Sequence, residues 1–110
     1  MVGWILLTAA IVSEVCGTLS LKVADGFRRP GFMIVVVLCY GVSFALLALA
    51  LKSIQVGPAY AIWSGVGTAM VVVAGAVLFG QRLSWVAVGG VMLIVAGVLV
   101  LTPRADVSVR

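Results

Sequence analysis

Four long apolar runs alternate with three short polar breaks along the chain. The first run covers residues 2–21 and stops at Lys22. A polar loop follows, Asp25-Gly26-Phe27-Arg28-Arg29-Pro30-Gly31, in which Gly26, Pro30 and Gly31 act as breakers. The second run, 32–51, ends at Lys52, and Ser53-Ile54-Gln55-Val56-Gly57 links it to the third, 58–79. That run opens on Pro58, a residue suited to the first turn of a helix. Gly80-Gln81-Arg82-Leu83-Ser84 separates it from the fourth run, 85–101, and Thr102-Pro103 ends the apolar part. Each run is near the roughly 20 residues that cross a hydrocarbon core. Backbone groups inside lipid must be paired within their own segment, so each run predicts a helix. The expected fold is an all-α membrane protein: one four-helix transmembrane domain over residues 1–102 and a polar tail over 103–110.

Composition sharpens that picture. Of the 110 residues 65% are hydrophobic and 9% charged, and mean hydropathy is +1.36. Soluble domains carry about 25% charged residues, and the spans leave no room for a separate catalytic domain. No nucleophile–base pair or phosphate loop is present, so no enzyme is expected. The net charge of +4 comes from residues set between apolar runs, which points to lipid headgroups rather than nucleic acid. Cys16 and Cys39 fall inside apolar runs at a spacing that matches no metal or redox motif. With no histidine in the chain, zinc and haem chemistry are disfavoured and no cofactor is expected. The first run lacks a basic leader and contains Glu14, so it reads as a retained span rather than a signal peptide.

Charge placement bears on orientation. Four spans put both termini on one side. The opposite side holds Lys22, Arg28, Arg29 and Arg82; the terminal side holds Lys52, Arg104 and Arg110. Four against three gives the positive-inside rule almost nothing to act on. The expectation is insertion both ways up, with two opposite copies pairing as an antiparallel homodimer. One four-helix unit is also too thin to shield a buried acid and enclose a cavity, and partner helices supply the missing wall.

The buried acid is Glu14, the only carboxylate inside an apolar run. A charged group at a membrane-helix centre costs about 2.5–3.5 kcal/mol on insertion scales and marks a functional site by default. No Lys or Arg lies within a span to pair with it, so a proton or an arriving cation must neutralise it. In a dimer two such carboxyls face one cavity and titrate as a pair. The competing use is as interhelical hydrogen-bond glue. Residues three and four apart share a helix face, which aligns Glu14 with Leu7, Ala10 and Ile11 on one side and Gly17, Thr18 and Leu21 on the other. Ala10, Gly17 and Thr18 leave space beside the acid, or serve close packing.

Aromatic and small residues occupy the other spans. Tyr60, Trp63, Ser64 and Gly67 share a face of the third, and Tyr40, Ser43 and Phe44 stand at helical spacing in the second. Rings beside an anion suit a lipophilic cation, and a tyrosine hydroxyl can steady the carboxylate. An interfacial belt is the competing account, and it is favoured for Trp4 and Trp85 near span ends. Gly65 and Gly67 offer a bend in mid-membrane. The fourth span carries Gly90, Leu93, Ile94 and Gly97 on one seam, which assigns it to dimerisation.

Together these residues resemble the small multidrug resistance family over nearly the whole chain. Ser13-Glu14-Val15-Cys16-Gly17-Thr18 is similar to its first-helix signature and Tyr60-Ala61-Ile62-Trp63-Ser64-Gly65-Val66-Gly67 to its third. Gly80-Gln81-Arg82-Leu83 resembles its third loop, and the segment from Gly90 to Gly97 its dimer motif. The resemblance is to the branch exporting quaternary cations. It implies an antiparallel, dual-topology homodimer in the bacterial inner membrane that exchanges protons for cationic drugs at Glu14 of both copies by alternating access. It also implies that Trp63, Tyr60, Tyr40 and Trp4 line the cavity. Leu7, Ala10, Ile11, Gly17, Thr18, Ser43, Phe44 and Ser64 would then lie nearby. Trp4, Ser13 and Ser84 depart from the family's usual Tyr, Ala and acid. The guanidinium-exporting branch is the near alternative; a non-transporting membrane assembly subunit is the distant one.

Overall fold

The computed structural model describes residues 2–26 and 28–104. Phe27 of the first loop and the tail from residue 105, with Asp106 and Arg110, lie outside them. Four helices follow in order: α1 (Val2–Val23), α2 (Pro30–Ala50), α3 (Val56–Phe79) and α4 (Trp85–Leu101), closed by a 3-10 turn at Thr102–Arg104. The first three are long and apolar enough to cross a membrane, and α4, at 17 residues, is shorter. The chain is thus a multi-pass membrane protein, with α4 at the lower end of the spanning range of about 17–25 residues.

Helix ends differ from the sequence reading where proline is involved. Pro30 opens α2 instead of breaking the chain, and Pro58 sits inside the first turn of α3. First-turn N–H groups have no intrahelical partner, so a residue without one costs nothing there. α1 runs on through Lys22, whose charge suits a helix C-terminus. α3 ends at Phe79 and is capped by Gly80, whose φ of 64° is left-handed and favours glycine. Ser84 caps α4, its side chain accepting from the Ala87 N–H at 3.0 Å.

α1 is the central helix, packed most extensively on α2 and then on α3. The core joins Leu7, Ala10, Ile11 and Val15 of α1 to Leu47 and Ala50 of α2, and to Ala59, Ile62 and Trp63 of α3. Ile54, in the α2–α3 link, closes one end. Lipid is as apolar as leucine, so burial alone drives no helix together here. Close fit and polar pairs do. Ala10, Ala50 and Ala59 are wholly buried at helix contacts, where a small side chain lets backbones approach.

α4 packs along α3 and has no buried residue of its own. α3 runs unbroken through Gly65-Val66-Gly67, and Gly65 presents its bare Cα to α4. A Cβ there would lie 3.2 Å from Ile94 Cγ2 and 3.6 Å from Val98 Cγ2. Of the seam expected for dimerisation, Ile94 is therefore turned to α3. Gly90 and Gly97 have open space beside them, and Leu93 is 76% exposed.

Candidate functional site

Glu14 lies in the middle of α1, half-buried, at the wall of a hollow of about 240 Å³. Tyr40 and Phe44 of α2 and Trp63 of α3 complete the lining. Three helices thus bring one carboxyl and three rings to a single space. Oε2 of Glu14 is buried and makes no hydrogen bond among the described residues.

Two of the rings, Tyr40 and Trp63, are held from behind. Tyr40 lies on Gly17, where a Cβ would come within 3.1 Å of Cδ1 and Cε1 of the ring and of the neighbouring Cys39 Cβ. Its hydroxyl is 2.7 Å from Thr18 Oγ1, and either oxygen can be the donor. Gly17 and Thr18 therefore place Tyr40. The Tyr40 hydroxyl is paired with Thr18 instead of with the acid.

Trp63 is buried and donates from Nε1 to Ser43 Oγ at 3.1 Å. Ser43 is fully buried and donates in turn to the Ala10 carbonyl at 2.6 Å. This chain of two bonds ties α3 to α2 and α2 to α1 behind the hollow. Phe44 and Tyr60 flank Trp63 with ring centroids 5.3 and 5.5 Å away, tilted by 58° and 50°. Such tilted pairs are favourable, because ring edges meet ring faces.

The remaining expected residues divide by position. Leu7, Ala10 and Ile11 are consumed by the core and back the site without lining it. Ser64 bonds to its own helix, donating to the Tyr60 carbonyl at 2.8 Å. Tyr60 itself is 58% exposed and reaches the site through Trp63. Trp4 is not brought to Glu14: it borders a different hollow of about 430 Å³ with Ile5, Thr8 and Ala9. Gly67 lies directly against the Glu14 carboxyl. No spacing along α1 or α3 pairs those two positions, because packing decides which face of α3 meets α1.

An acid beside aromatic faces can hold an organic cation by charge and by cation–π attraction together. The chain is similar to known proteins over most of its length. A family model described as Small Multidrug Resistance protein matches residues 2–94. The chain is 46% identical over 83 residues to the quaternary ammonium compound-resistance protein QacE of Escherichia coli, covering 76% of each chain. It is equally similar to a putative ethidium bromide resistance protein of Salmonella typhimurium, over 76% of this chain and 72% of that one. QacF of Klebsiella aerogenes, also a quaternary ammonium compound-resistance protein, is 45% identical over 85 residues, 77% of each chain.

Proposed function

The chain belongs to the small multidrug resistance family, and from that premise we propose that it is a proton-coupled antiporter exporting lipophilic and quaternary ammonium cations. One observation carries the reading: Glu14 shares its hollow with Tyr40, Phe44 and Trp63. A positive, apolar molecule is neutralised by the carboxyl and solvated by the rings. A proton satisfies the same carboxyl. Proton and drug then take turns at one acid, and that competition is the coupling. Protons entering from outside displace the drug there; release of protons inside frees the site for the next cation.

The proposed working unit is an antiparallel homodimer of dual topology in the bacterial inner membrane. Two features support it. The basic residues divide four against three between the two sides, and α4 leaves Gly90, Leu93 and Gly97 facing outward. A second copy would wall the hollow that one chain leaves open. It would also have to bring Trp4 to the cavity, since Trp4 stands away from Glu14 of its own chain. Gly65 and Gly67 remain the proposed point at which α3 bends as access alternates.

Transport by the purified full chain in proteoliposomes tests the activity. With a pH gradient imposed, ethidium is expected to move uphill against the proton flow, and guanidinium at less than a tenth of that rate. The reverse preference would assign the chain to the guanidinium-exporting branch. No uphill movement of either cation would refute the antiporter reading. Orientation is read separately, with a single cysteine appended to the C-terminus of a Cys16→Ser/Cys39→Ser variant and a membrane-impermeant thiol reagent applied to each face. Roughly equal labelling from both faces of the membrane is expected, and labelling from one face alone would remove the dual topology.

A further inference from the structure

Gly67 and Glu14 meet where α3 crosses α1. A methyl group built on Gly67 would overlap Oε2 of Glu14 and lie 3.0 Å from its Cδ and 3.2 Å from Oε1. Gly67 is buried, and so is the oxygen that rests on it. The carboxyl thus occupies the space that any other residue at position 67 would fill with its own side chain. On the other side of the same carboxyl is the hollow lined by Tyr40, Phe44 and Trp63.

We propose that Gly67 is a positioning residue for the cation site, its bare Cα being the seat that keeps the Glu14 carboxyl back from the volume the cation takes. The proposal rests on the reading of Glu14 as the cation-binding group. It adds to the bend expected at the glycine pair a demand of a different kind. A bend needs backbone freedom; a seat needs only the absence of a Cβ. The two glycines of Gly65-Val66-Gly67 also differ in what they meet. Positions two apart on a helix point to nearly opposite sides, and Gly65 is filled by Ile94 of α4 whereas Gly67 is filled by the acid. With a Cβ at position 67, the carboxyl has to swing away from α3. The space beside it is the hollow, so the acid would enter the volume meant for its ligand.

This makes the cost of a side chain at position 67 depend on the length of the side chain at position 14, a coupling that a double-mutant cycle measures. Gly67→Ala is compared in three backgrounds of the purified full chain in detergent: wild type, Glu14→Asp and Glu14→Gln. Glu14→Asp withdraws the carboxyl by one methylene, and Glu14→Gln keeps its length without its charge. Ethidium affinity and Tm are read for each. In the wild-type background Gly67→Ala is expected to weaken ethidium binding at least tenfold and to lower Tm. In the Glu14→Asp background it should change affinity by less than threefold and leave Tm in place. In the Glu14→Gln background the fall in Tm should return. Equal penalties in all three backgrounds, or none in the wild type, would overturn the seat and leave Gly67 an ordinary packing glycine. If Gly67→Ala alone is too unstable to purify, recovery of a folded protein by adding Glu14→Asp supports the seat, and failure to recover overturns it. Should wild type bind no ethidium at all, the cation-site reading fails, while the three Tm comparisons still decide whether the carboxyl sits on Gly67.

Discussion

Glu14→Gln is expected to lower ethidium affinity by at least two orders of magnitude and to abolish uphill export. Glutamine preserves the size and shape of the side chain, so α1, α2 and α3 should still pack. What it removes is the charge. Breaking a buried charge pair by removing one partner costs about 3–5 kcal/mol, and each 1.4 kcal/mol is about tenfold in affinity. The rings of Tyr40, Phe44 and Trp63 remain, but cation–π attraction supplies only about 0.5–2 kcal/mol, too little to hold the ligand alone. The pH dependence should change in the same variant. In the wild type, protons compete for the carboxyl, so apparent affinity falls as pH is lowered. In Glu14→Gln that slope should vanish. The nearest other acid in the sequence, Asp25, is exposed in the first loop and outside the hollow. Titration of the two proteins across pH checks both statements at once. A variant that still drove ethidium uphill, or kept the wild-type pH slope, would place the coupling elsewhere.

The second large effect is expected at Trp63. Trp63→Ala removes a ring from the hollow, the partner of two tilted aromatic pairs and the donor to Ser43. Buried Trp or Phe to Ala changes cost about 3–5 kcal/mol of stability in well-packed cores. Lost cation–π contact should weaken ethidium binding by a further tenfold or so. Trp63→Phe separates these contributions. It keeps an aromatic face but gives up the N–H, leaving Ser43 Oγ its bond to the Ala10 carbonyl. Interhelical hydrogen bonds in membranes are worth about 0.6–2 kcal/mol, so this variant should lose a small part of the stability and most of it should remain. Thermal unfolding in detergent and ethidium titration of Trp63→Ala, Trp63→Phe and Ser43→Ala give the comparison. If Trp63→Phe were as damaging as Trp63→Ala, the indole N–H and not the ring would be the essential part. If Trp63→Ala bound ethidium as tightly as wild type, the aromatic wall would have no role in binding.

Much of the site can be read before any coordinates. Glu14 stands out because it is the one acid inside an apolar run, and the rings at 40, 44, 60 and 63 stand out by helical spacing. Spacing says only which residues share a face of one helix. It does not say which face meets which neighbour. Ser43 illustrates the limit, since its position beside Tyr40 and Phe44 suggests a ligand contact, yet it is wholly buried between Ala10 and Trp63. Gly17 and Thr18 share a face with Glu14, but their contact is to Tyr40. Trp4 shares the aromatic character of the cavity residues and borders a separate hollow.

Hydropathy alone, then, determined the four helices, their membrane setting and the single acid among them. The reason is that exclusion of water forces every backbone group to be paired within its own segment and makes one unpaired carboxyl conspicuous. The tertiary structure decided what surrounds that acid. Lipid does not distinguish one apolar helix face from another, so helix rotation is chosen by close fit and a few polar pairs. Those contacts lie between residues distant in the chain: Gly67 under Glu14, Gly65 against Ile94, and Ser43 joining Ala10 to Trp63.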